Sequence, residues 1–152
     1  MSSANIRRAT PMDLPMCANI INDYIDATAW LPRVVSREKI ASLFTAEILE
    51  TRYFIVAENN AEVGGYLSMN EDDGHIIGLY VAPHFQNMGT GKLLLNEAKK
   101  RITDLVWLTV FAPNTLAKKF YEREGFAEDV NGRDYNTEEG VPTLLMKWGG
   151  AK

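Results

Sequence analysis

The sequence predicts a mixed α/β fold, with a central sheet of about seven strands and about four helices packed on both of its faces. Three observations indicate this class. The spacing of apolar residues switches between helical and strand periods along the chain. The predicted elements follow the order strand, two helices, three strands, helix, strand, helix, two strands. No linker, repeat or low-complexity tract divides the 152 residues, so one domain over residues 1–152 is expected.

The first third of the chain predicts a short strand over residues 5–9, followed by two helices. Thr10, Pro11 and Asp13 have the features of a helix start: a capping threonine, a proline at the first helical position and the acid of a capping box. A second helix is predicted to begin after Ser36. Apolar residues recur at helical spacing at Leu14, Cys17, Ile21, Tyr24 and Ile25 in the first helix, and at Ile40, Leu43, Phe44 and Ile48 in the second.

Strand periods dominate the rest of the chain, and two helices interrupt them. Turn signals separate the strands at Asn59 and Asn60, at the acidic stretch before Gly74, and at Pro83. Residues 105–111 are almost continuously apolar, which predicts a strand that is covered on both faces. The predicted strands are 53–58, 62–69, 75–82, 105–111, 126–130 and 143–148, and the predicted helices are 90–101 and 115–124.

The composition is that of an ordinary globular protein with an acidic balance. Hydrophobic residues make up 46% of the chain and charged residues 24%, and these values exclude a disordered or fibrous chain. The net charge is −4 and the isoelectric point is near 5.2. Because there is no excess of Lys and Arg to displace counterions, a nucleic-acid partner is not expected.

A single cysteine, Cys17, excludes an intrachain disulfide and a cysteine-based zinc site, and no metal site is predicted. No apolar run approaches the ~18 residues of a membrane span, and the basic start lacks the apolar region of a signal peptide. We therefore expect a soluble protein of a reducing cytoplasm, without a membrane partner.

The most informative segment joins the strand over residues 75–82 to the helix over residues 90–101. It places Gly89, Gly91 and Lys92 at the point where the helix begins. A helix N-terminus has unpaired N–H groups and a positive dipole end, and glycines let an anion approach that backbone closely. The segment therefore predicts a phosphate site. A glycine-rich turn without a ligand is the alternative interpretation.

Two common nucleotide-binding motifs do not fit this segment. A P-loop requires a glycine where the chain has Gln86, and a Ser or Thr where it has Leu93. A dinucleotide-binding fingerprint requires a third glycine where the chain has Leu94. Both interpretations fail at defining residues, so neither motif is predicted.

The pattern that does fit is Gln86-x-x-Gly89-x-Gly91, which directly follows a hydrophobic strand. It resembles the signature with which the GNAT superfamily of N-acetyltransferases cradles the pyrophosphate of acetyl-CoA. Two further stretches resemble members of the same family, in the right order along nearly the whole chain. They are Ile6-Arg7-x-Ala9-Thr10-x-x-Asp13-Leu14 near the start and Asn114-x-x-Ala117-x-x-Phe120-Tyr121-Glu122-x-x-Gly125-Phe126 downstream.

The resemblance implies one N-acetyltransferase domain with a mostly antiparallel sheet of seven strands. In this fold, the strands ending near Ala82 and Phe111 separate at a bulge, and acetyl-CoA enters the gap as co-substrate. The backbone groups of Leu79, Tyr80 and Val81 are then expected to contact the pantetheine arm and the acetyl oxygen. The implied phosphate-binding residues are Gln86, Asn87, Met88, Gly89, Thr90, Gly91 and Lys92.

The second motif implies that Asn114 and Ala117 lie on the helix that flanks the pantetheine arm. A helix cap is the plainer role for Asn114, and the two roles are compatible. Tyr121 matches the position of the tyrosine that protonates the leaving thiolate in many members. A phenol is protonated at neutral pH and can donate to sulfur. Core packing is the alternative role for the Tyr121 ring.

The reaction that the resemblance implies is direct attack of a neutral amine on the thioester, without a covalent enzyme intermediate. A backbone N–H of Tyr80 or Val81 is expected to bind the carbonyl oxygen as it gains charge. No general base stands out in the sequence. Glu138 and Glu139 in the last loop could attract the positive charge of an amine, and a solvated surface role is their alternative.

The acceptor is expected to be a primary amine of a small molecule. Trp30 and Arg33, after the first helix, and Glu138 are the candidate substrate-binding residues; closure of the core is the alternative role for Trp30. If Arg33 faced the cleft, it would favour an acceptor with a carboxylate. The resemblance leaves aminoglycosides, polyamines and protein amines open as other acceptors. It also implies a homodimer as one common assembly.

A second function remains open at this point. The same fold could bind acetyl-CoA without catalysis and regulate a partner. The intact phosphate pattern and Tyr121 favour an enzyme over such a regulatory module.

Overall fold

The computed structural model describes residues 4–102 and 104–149, in which five helices surround a seven-stranded sheet. The strands are β1 (Asn5–Arg8), β2 (Tyr53–Asn59), β3 (Glu62–Asn70), β4 (His75–Val81), β5 (Val106–Phe111), β6 (Ala127–Asp134) and β7 (Thr143–Trp148). The helices are α1 (Leu14–Ala27), α2 (Arg37–Leu43), α3 (Ile48–Thr51), α4 (Thr90–Arg101) and α5 (Thr115–Arg123). Short 3-10 turns at Pro11–Asp13 and Pro83–Met88 precede α1 and α4.

The strands lie in the spatial order β1-β2-β3-β4-β5-β7-β6. All neighbouring pairs are antiparallel except β4 and β5, which are parallel, so the predicted mixed and mostly antiparallel sheet is confirmed. Within the described residues, β4 and β5 are in register only at His75 and Trp107. The register between β3 and β4 pairs Met69 with Ile76 and Ser68 with Gly78. Ile77 is therefore an extra residue, a bulge that turns β4 away from β5.

Helices cover both faces of the sheet and enclose two separate cores. Alternate residues of β2 enter different cores: Ile55 packs into the larger one and Phe54 into the smaller one. The larger core receives Leu94 and Leu95 of α4, and the smaller core receives Cys17 of α1. None of the helices formed by residues 4–102 and 104–149 is long and apolar enough to cross a membrane.

The second predicted helix is shorter than its apolar spacing suggests. Ser36 caps it as expected, because its hydroxyl accepts a hydrogen bond from the Lys39 N–H at 3.0 Å. However, α2 ends at Leu43, which is 55% exposed, and α3 follows as a separate turn. Phe44, just after α2, packs edge-on against Tyr66 with ring centroids 5.9 Å apart. The apolar residues from Ile40 to Ile48 therefore do not form one continuous helix face. Phe44 packs against the sheet through its ring instead.

The prediction that residues 105–111 are covered on both faces is wrong. In β5, Val106, Leu108 and Val110 are buried, whereas Thr109 between them is exposed. The strand is apolar throughout, but helices α4 and α5 cover only its inner face. β6 also runs further than predicted, to Asp134, across an irregularity in its pairing with β7.

Asp13 joins the 3-10 turn before α1 to strand β1, and we expect it to stabilise the fold. Its carboxylate is nearly buried and accepts hydrogen bonds from Arg7 Nη1 at 2.8 Å, Arg7 Nη2 at 3.0 Å and the Thr10 N–H at 2.7 Å. The Thr10 bond is the capping-box contact that the sequence predicts. The Arg7 guanidinium lowers the pKa of Asp13 below its usual value.

Replacing Asp13→Asn should lower the free energy of unfolding by about 2 kcal/mol at neutral pH, since hydrogen bonds to a charged group are lost. The Asp13 pKa is depressed in the native state, so this contribution is present above the unfolded pKa near ~3.9 and disappears as pH falls through the native value. Urea unfolding of both proteins across the acid range measures the effect. The exposed turn residue Asp72 provides the control substitution Asp72→Asn. An equal loss for both variants would refute the role of Asp13.

Candidate functional site

A cleft of about 840 Å³ opens where β4 and β5 separate beyond their single point of register. This volume is in the range of small-molecule binding sites. Its walls are the facing edges of the two strands, the start of α4 and one side of α5. The separation at a bulge, which the resemblance implies, is confirmed by the Ile77 bulge and the divergence of the strands.

The edge of β4 presents two unpaired peptide groups to the cleft. The Ala82 N–H donates to the Gly64 carbonyl at 2.7 Å, toward β3. Successive peptide groups of a strand point to opposite edges, so the Tyr80 N–H also faces β3, whereas the N–H groups of Leu79 and Val81 face the cleft. Gln86 supports this assignment, because its Nε2 donates to the Val81 carbonyl at 3.1 Å. Of the two N–H groups named from the sequence for the carbonyl oxygen, only that of Val81 points into the cleft.

The turn between β4 and α4 forms one end of the cleft. Gly89 precedes the helix with φ of 71°, a left-handed conformation that favours glycine. The first hydrogen bond of the helix runs from the Leu93 N–H to the Gly89 carbonyl. The N–H groups of Thr90, Gly91 and Lys92 therefore have no partner within the helix. Thr90 is fully buried, so the N–H groups open to an anion are those of Gly91 and Lys92, which we call the anion cradle.

Two contacts fix the turn between β4 and α4 against the rest of the protein. The buried Thr90 hydroxyl donates to the Phe85 carbonyl at 2.9 Å. The Phe85 ring fills the space above Gly64, where a Cβ atom would lie 2.1 Å from the ring. Any side chain at position 64 would displace Phe85. The anion cradle is thus built on a packed base, and the cations Lys92 and Arg123 and the carboxylate Glu124 line the same cleft.

Helix α5 provides the opposite wall of the cleft. Asn114 caps it, because its Oδ1 accepts a hydrogen bond from the Ala117 N–H at 3.2 Å. The Asn114 Nδ2 donates to the Tyr24 hydroxyl at 3.0 Å, which ties α5 to α1. Asn114 and Ala117 both line the cleft. The cap interpretation of Asn114 is confirmed, and its place in the cleft is compatible with a second role.

Tyr121 lies at the inner end of the cleft and is 7% exposed. Its ring packs edge-on against Phe120 and Phe126, with centroids 5.1 and 5.5 Å away. Burial raises the pKa of Tyr121 well above its ordinary value, and the neighbouring phenols of Tyr80 and Tyr24 add to the shift. The phenol therefore stays protonated at any physiological pH.

Tyr80 and Tyr24 face Tyr121 across the cleft. Their rings lie 5.3 Å apart, and burial raises the pKa of Tyr80 to about 12. The hydroxyls of Tyr80 and Tyr121 have no hydrogen-bond partner within the described part of the chain. No fully enclosed side-chain nitrogen or oxygen there lacks a partner. Both hydroxyls therefore reach the open space of the cleft, where they can donate to a ligand.

The three residues expected to bind the acceptor lie in different surroundings. Trp30 packs edge-on against Phe111, with ring centroids 5.8 Å apart; Phe111 lines the cleft, but Trp30 itself does not. Arg33 donates to Asp26 and Val35 and makes two bonds to Asn22, so its guanidinium is occupied within the chain. Glu138 is exposed in the last loop. Its half-buried neighbour Glu139 lies close enough to Tyr80 to raise the pKa of that phenol.

Most residues expected to contact acetyl-CoA do line the cleft. Met88 instead packs against the larger core, and the side chain of Asn87 lies outside the described residues. Residues 4–102 and 104–149 contain no group of three or more His, Cys, Asp or Glu able to hold a metal ion. The expected residues that line the cleft are Leu79, Tyr80, Val81, Gln86, Gly89, Gly91, Lys92, Asn114, Ala117 and Tyr121.

The sequence did not assign a site role to two side chains that matter here. The sequence predicts Tyr24 only as one of the apolar residues on one face of α1, and it predicts no ligand-binding role for Arg123. Tyr24 and Asn114 are ninety residues apart in the sequence. Their hydrogen bond therefore cannot be predicted from the spacing of neighbouring residues. Arg123 is the last residue of α5, two residues before Gly125, and it lines the cleft only because α5 packs beside the cleft.

Comparisons with known proteins agree with this geometry. The model of the acetyltransferase (GNAT) family matches residues 19–126. An uncharacterized N-acetyltransferase of Methanocaldococcus jannaschii is 34% identical over 100 residues, which cover 61% of this chain and 64% of that protein. An uncharacterized N-acetyltransferase of Porphyra purpurea is 25% identical over 115 residues, which cover 70% of this chain and 63% of that protein. The matched regions thus span slightly less than two thirds of these relatives.

Solved structures share the fold over almost the whole chain. Apo YjaB of Escherichia coli has a TM-score of 0.77 at 22% identity and covers 99% of this chain and 100% of its own. YncA of Salmonella typhimurium, solved with its cofactor acetyl-CoA, has a TM-score of 0.75 at 22% identity, covering 99% and 96%. PaiA N-acetyltransferase of Thermoplasma acidophilum, in complex with coenzyme A, has a TM-score of 0.71 at 19% identity, covering 97% of this chain and 99% of its own.

Proposed function

Because this chain belongs to the GNAT family of acetyltransferases, we propose that it transfers the acetyl group of acetyl-CoA to a primary amine of a small molecule. One observation carries the proposal. The cleft between β4 and β5 is lined both by the glycine-rich first turn of α4 and by a buried, protonated phenol, Tyr121. A long co-substrate with phosphates at one end and a thioester at the other matches this arrangement.

The start of α4 is suited to the phosphates of acetyl-CoA. The N–H groups of Gly91 and Lys92 lie in the first turn, at the positive end of the helix dipole. Lys92 and Arg123 add two exposed cations beside them. The pantetheine arm carries amide groups, which can pair with the free peptide edge of β4 at Leu79 and Val81 as an added strand would.

The thioester is then expected near Val81 and Tyr121. The Val81 N–H is the preorganised donor for the carbonyl oxygen, which gains negative charge when the amine attacks. A new C–N bond forms, the C–S bond breaks, and one proton leaves the amine nitrogen for water while the sulfur gains one. Tyr121 donates that proton to the sulfur and regains one from water, and its raised pKa keeps the donor form available.

Glu139 is the group that we assign to the ammonium form of the acceptor before it loses its proton. It is half-buried and lies close to Tyr80. A carboxylate there attracts the cationic amine to the cleft. Glu138 is more exposed and serves this role less well. Deprotonation of the bound amine can pass through water, since the titratable groups that act on Tyr121 in the described part of the chain are the phenols of Tyr80 and Tyr24.

Thiol release tests the proposal. The purified protein should release free CoA from acetyl-CoA when an amine of a broad panel is added, and mass spectrometry should find the acetylated amine. CoA binding without release across the panel would instead support a regulatory module. That alternative is disfavoured because the Tyr121 hydroxyl has no hydrogen-bond partner among residues 4–102 and 104–149 and is left for a ligand.

A further inference from the structure

The cleft between β4 and β5 is lined from both faces of the sheet, because the two strands separate there. On β4, Leu79 and Val81 pack against the larger core, on the face that α4 and α5 cover. Tyr80 between them packs against the smaller core, together with residues of α1. Gly78 is two residues from Tyr80 and therefore lies on the same face as Tyr80.

Alternate residues of β5 line the cleft from both faces as well. Leu108 and Val110 belong to the larger core, so Thr109 and Phe111 project from the opposite face. Thr143 of β7 is in register with Phe111 and shares its face. We call the part of the cleft lined from this face the α1-side mouth. Its residues are Tyr24 of α1, Gly78, Tyr80, Thr109, Phe111 and Thr143.

The six residues of the α1-side mouth carry no formal charge: three have aromatic rings, two have hydroxyls and one is glycine. In the described part of the chain, the charged residues that line the cleft are Lys92, Arg123 and Glu124. They lie at the start of α4 and at the end of α5, on the larger-core side of the sheet. Glu139, which we assign to the incoming ammonium, is not among the lining residues.

Aromatic rings form most of the surface of the α1-side mouth. The rings of Tyr24 and Tyr80 lie 5.3 Å apart, and Trp30 packs edge-on against the outer ring of Phe111. Burial raises the pKa of both phenols, so both stay neutral at physiological pH. An uncharged aromatic group can pack on these rings, whereas a charged group would lose its hydration without a partner of opposite sign.

The acceptor amine reaches the thioester from the α1-side mouth. In the proposed complex, the phosphates and the pantetheine arm of acetyl-CoA lie against α4, α5 and the edge of β4. The co-substrate therefore occupies the larger-core side of the cleft, and the gap between β4 and β5 leaves the opposite side open to a second molecule. The lining of that side then determines which acceptors bind well.

We propose that the acceptor is a primary monoamine on an uncharged aromatic body, and that polyamines, aminoglycosides and amino acids are poor acceptors. This inference rests on the proposed function, because it names the acceptor of the same cleft. A second ammonium or a carboxylate would enter the α1-side mouth without a charged partner among its lining residues, and burial of an unpaired charge is costly. Arg33 does not supply that partner, because Asp26, Asn22 and Val35 occupy its donors.

Three acceptors that differ only in their para substituent test the proposal. They are 4-methylbenzylamine, 4-(aminomethyl)benzoate and 1,4-bis(aminomethyl)benzene, which carry a methyl group, a carboxylate and a second ammonium at that position. The kcat/KM of the methyl compound should exceed that of each charged compound by at least ~10-fold, because the α1-side mouth leaves the charge unpaired. Equal or better use of either charged acceptor would overturn the proposal. Equal use of butylamine, which has no ring, would overturn its aromatic part.

A carboxylate introduced into the α1-side mouth should change this order. Thr109 is exposed and lines the cleft, so Thr109→Glu should shift the ratio of kcat/KM between the diamine and the methyl compound by at least ~10-fold toward the diamine. A ratio between two acceptors does not depend on the fraction of folded protein. Val130→Glu places the same charge on β6, at a residue that is 62% exposed and outside the cleft, and it should keep the natural ratio. An unchanged ratio in Thr109→Glu, or an equal shift in both variants, would contradict the proposal.

A binding measurement distinguishes this inference from the proposed function. Calorimetric titration of the CoA-bound protein should give tighter binding of 4-methylbenzylamine than of the two charged compounds. If 4-methylbenzylamine does not bind while other amines cause thiol release, the inference is wrong and the proposed function stands. Absence of CoA binding, or of thiol release with every amine, would instead overturn the proposed function itself.

Discussion

Replacing Tyr121→Phe should lower kcat by about 100- to 1,000-fold while leaving the affinity for acetyl-CoA unchanged, because a positioned general acid contributes rate and not ground-state binding. The phenylalanine ring keeps the edge contacts with Phe120 and Phe126, so only the hydroxyl is removed. That hydroxyl has no partner in the described part of the chain, and its loss should not destabilise the protein. Thiol release with the best acceptor and calorimetry with CoA measure the two quantities separately.

Tyr53→Phe is the matched control, because Tyr53 is a buried phenol outside the cleft. Its ring lies between the guanidinium groups of Arg8 and Arg101, at 5.0 and 4.8 Å. This variant should keep full activity. If Tyr121→Phe also kept full activity, sulfur protonation would have to come from another donor, and the assignment of Tyr121 as the acid would be wrong.

Replacing Gly91→Glu should weaken acetyl-CoA binding by at least ~100-fold, because like charges placed together at a binding site cost several kcal/mol. Gly91 lines the cleft in the first turn of α4, where the N–H groups form the anion cradle. A carboxylate there competes with the phosphates for those donors and repels their charge. The loss should shrink at high salt, since exposed charges are screened. Calorimetric titration at two ionic strengths measures both effects.

The variant Gly91→Ala shows whether the loss of acetyl-CoA binding in Gly91→Glu comes from the charge of the side chain or from its size. A Cβ atom at position 91 would lie 3.4 Å from the Phe120 ring, an ordinary contact, and alanine favours helix over glycine. The alanine variant should fold and bind acetyl-CoA within a few-fold of the natural chain. Equal weakening by both substitutions would show that the position tolerates no side chain and would remove the electrostatic argument for the cradle.

The parts of the site that sequence predicts best are those encoded by local spacing. Gln86, Gly89 and Gly91 lie within six residues, and strand, turn and helix chemistry fixes their relative positions. The cap by Asn114 is similarly local, because its acceptor is the N–H three residues later. These features follow from hydrogen bonding within a short segment, so the sequence alone contains them.

The parts that the sequence missed depend on which strand edges and helix faces meet. Arg33 could have faced the cleft, yet Asp26 and Asn22 of α1 take its donors, and only the packing of the loop after α1 against that helix decides this. The choice between the N–H groups of Tyr80 and Val81 depends on the register of β3 with β4. The exposed face of β5 depends on where α4 and α5 end. None of these is visible in local spacing.

Calorimetric titration of the natural chain with acetyl-CoA, CoA and ATP in one buffer tests the central claim most directly, which is that the cleft between β4 and β5 is a coenzyme A site. We predict one-to-one binding of acetyl-CoA and of CoA, and no comparable binding of ATP with magnesium, because Gln86 and Leu93 replace the residues that a P-loop requires. Absence of binding for both CoA species would contradict the account and reduce the segment from Gln86 to Lys92 to a structural turn.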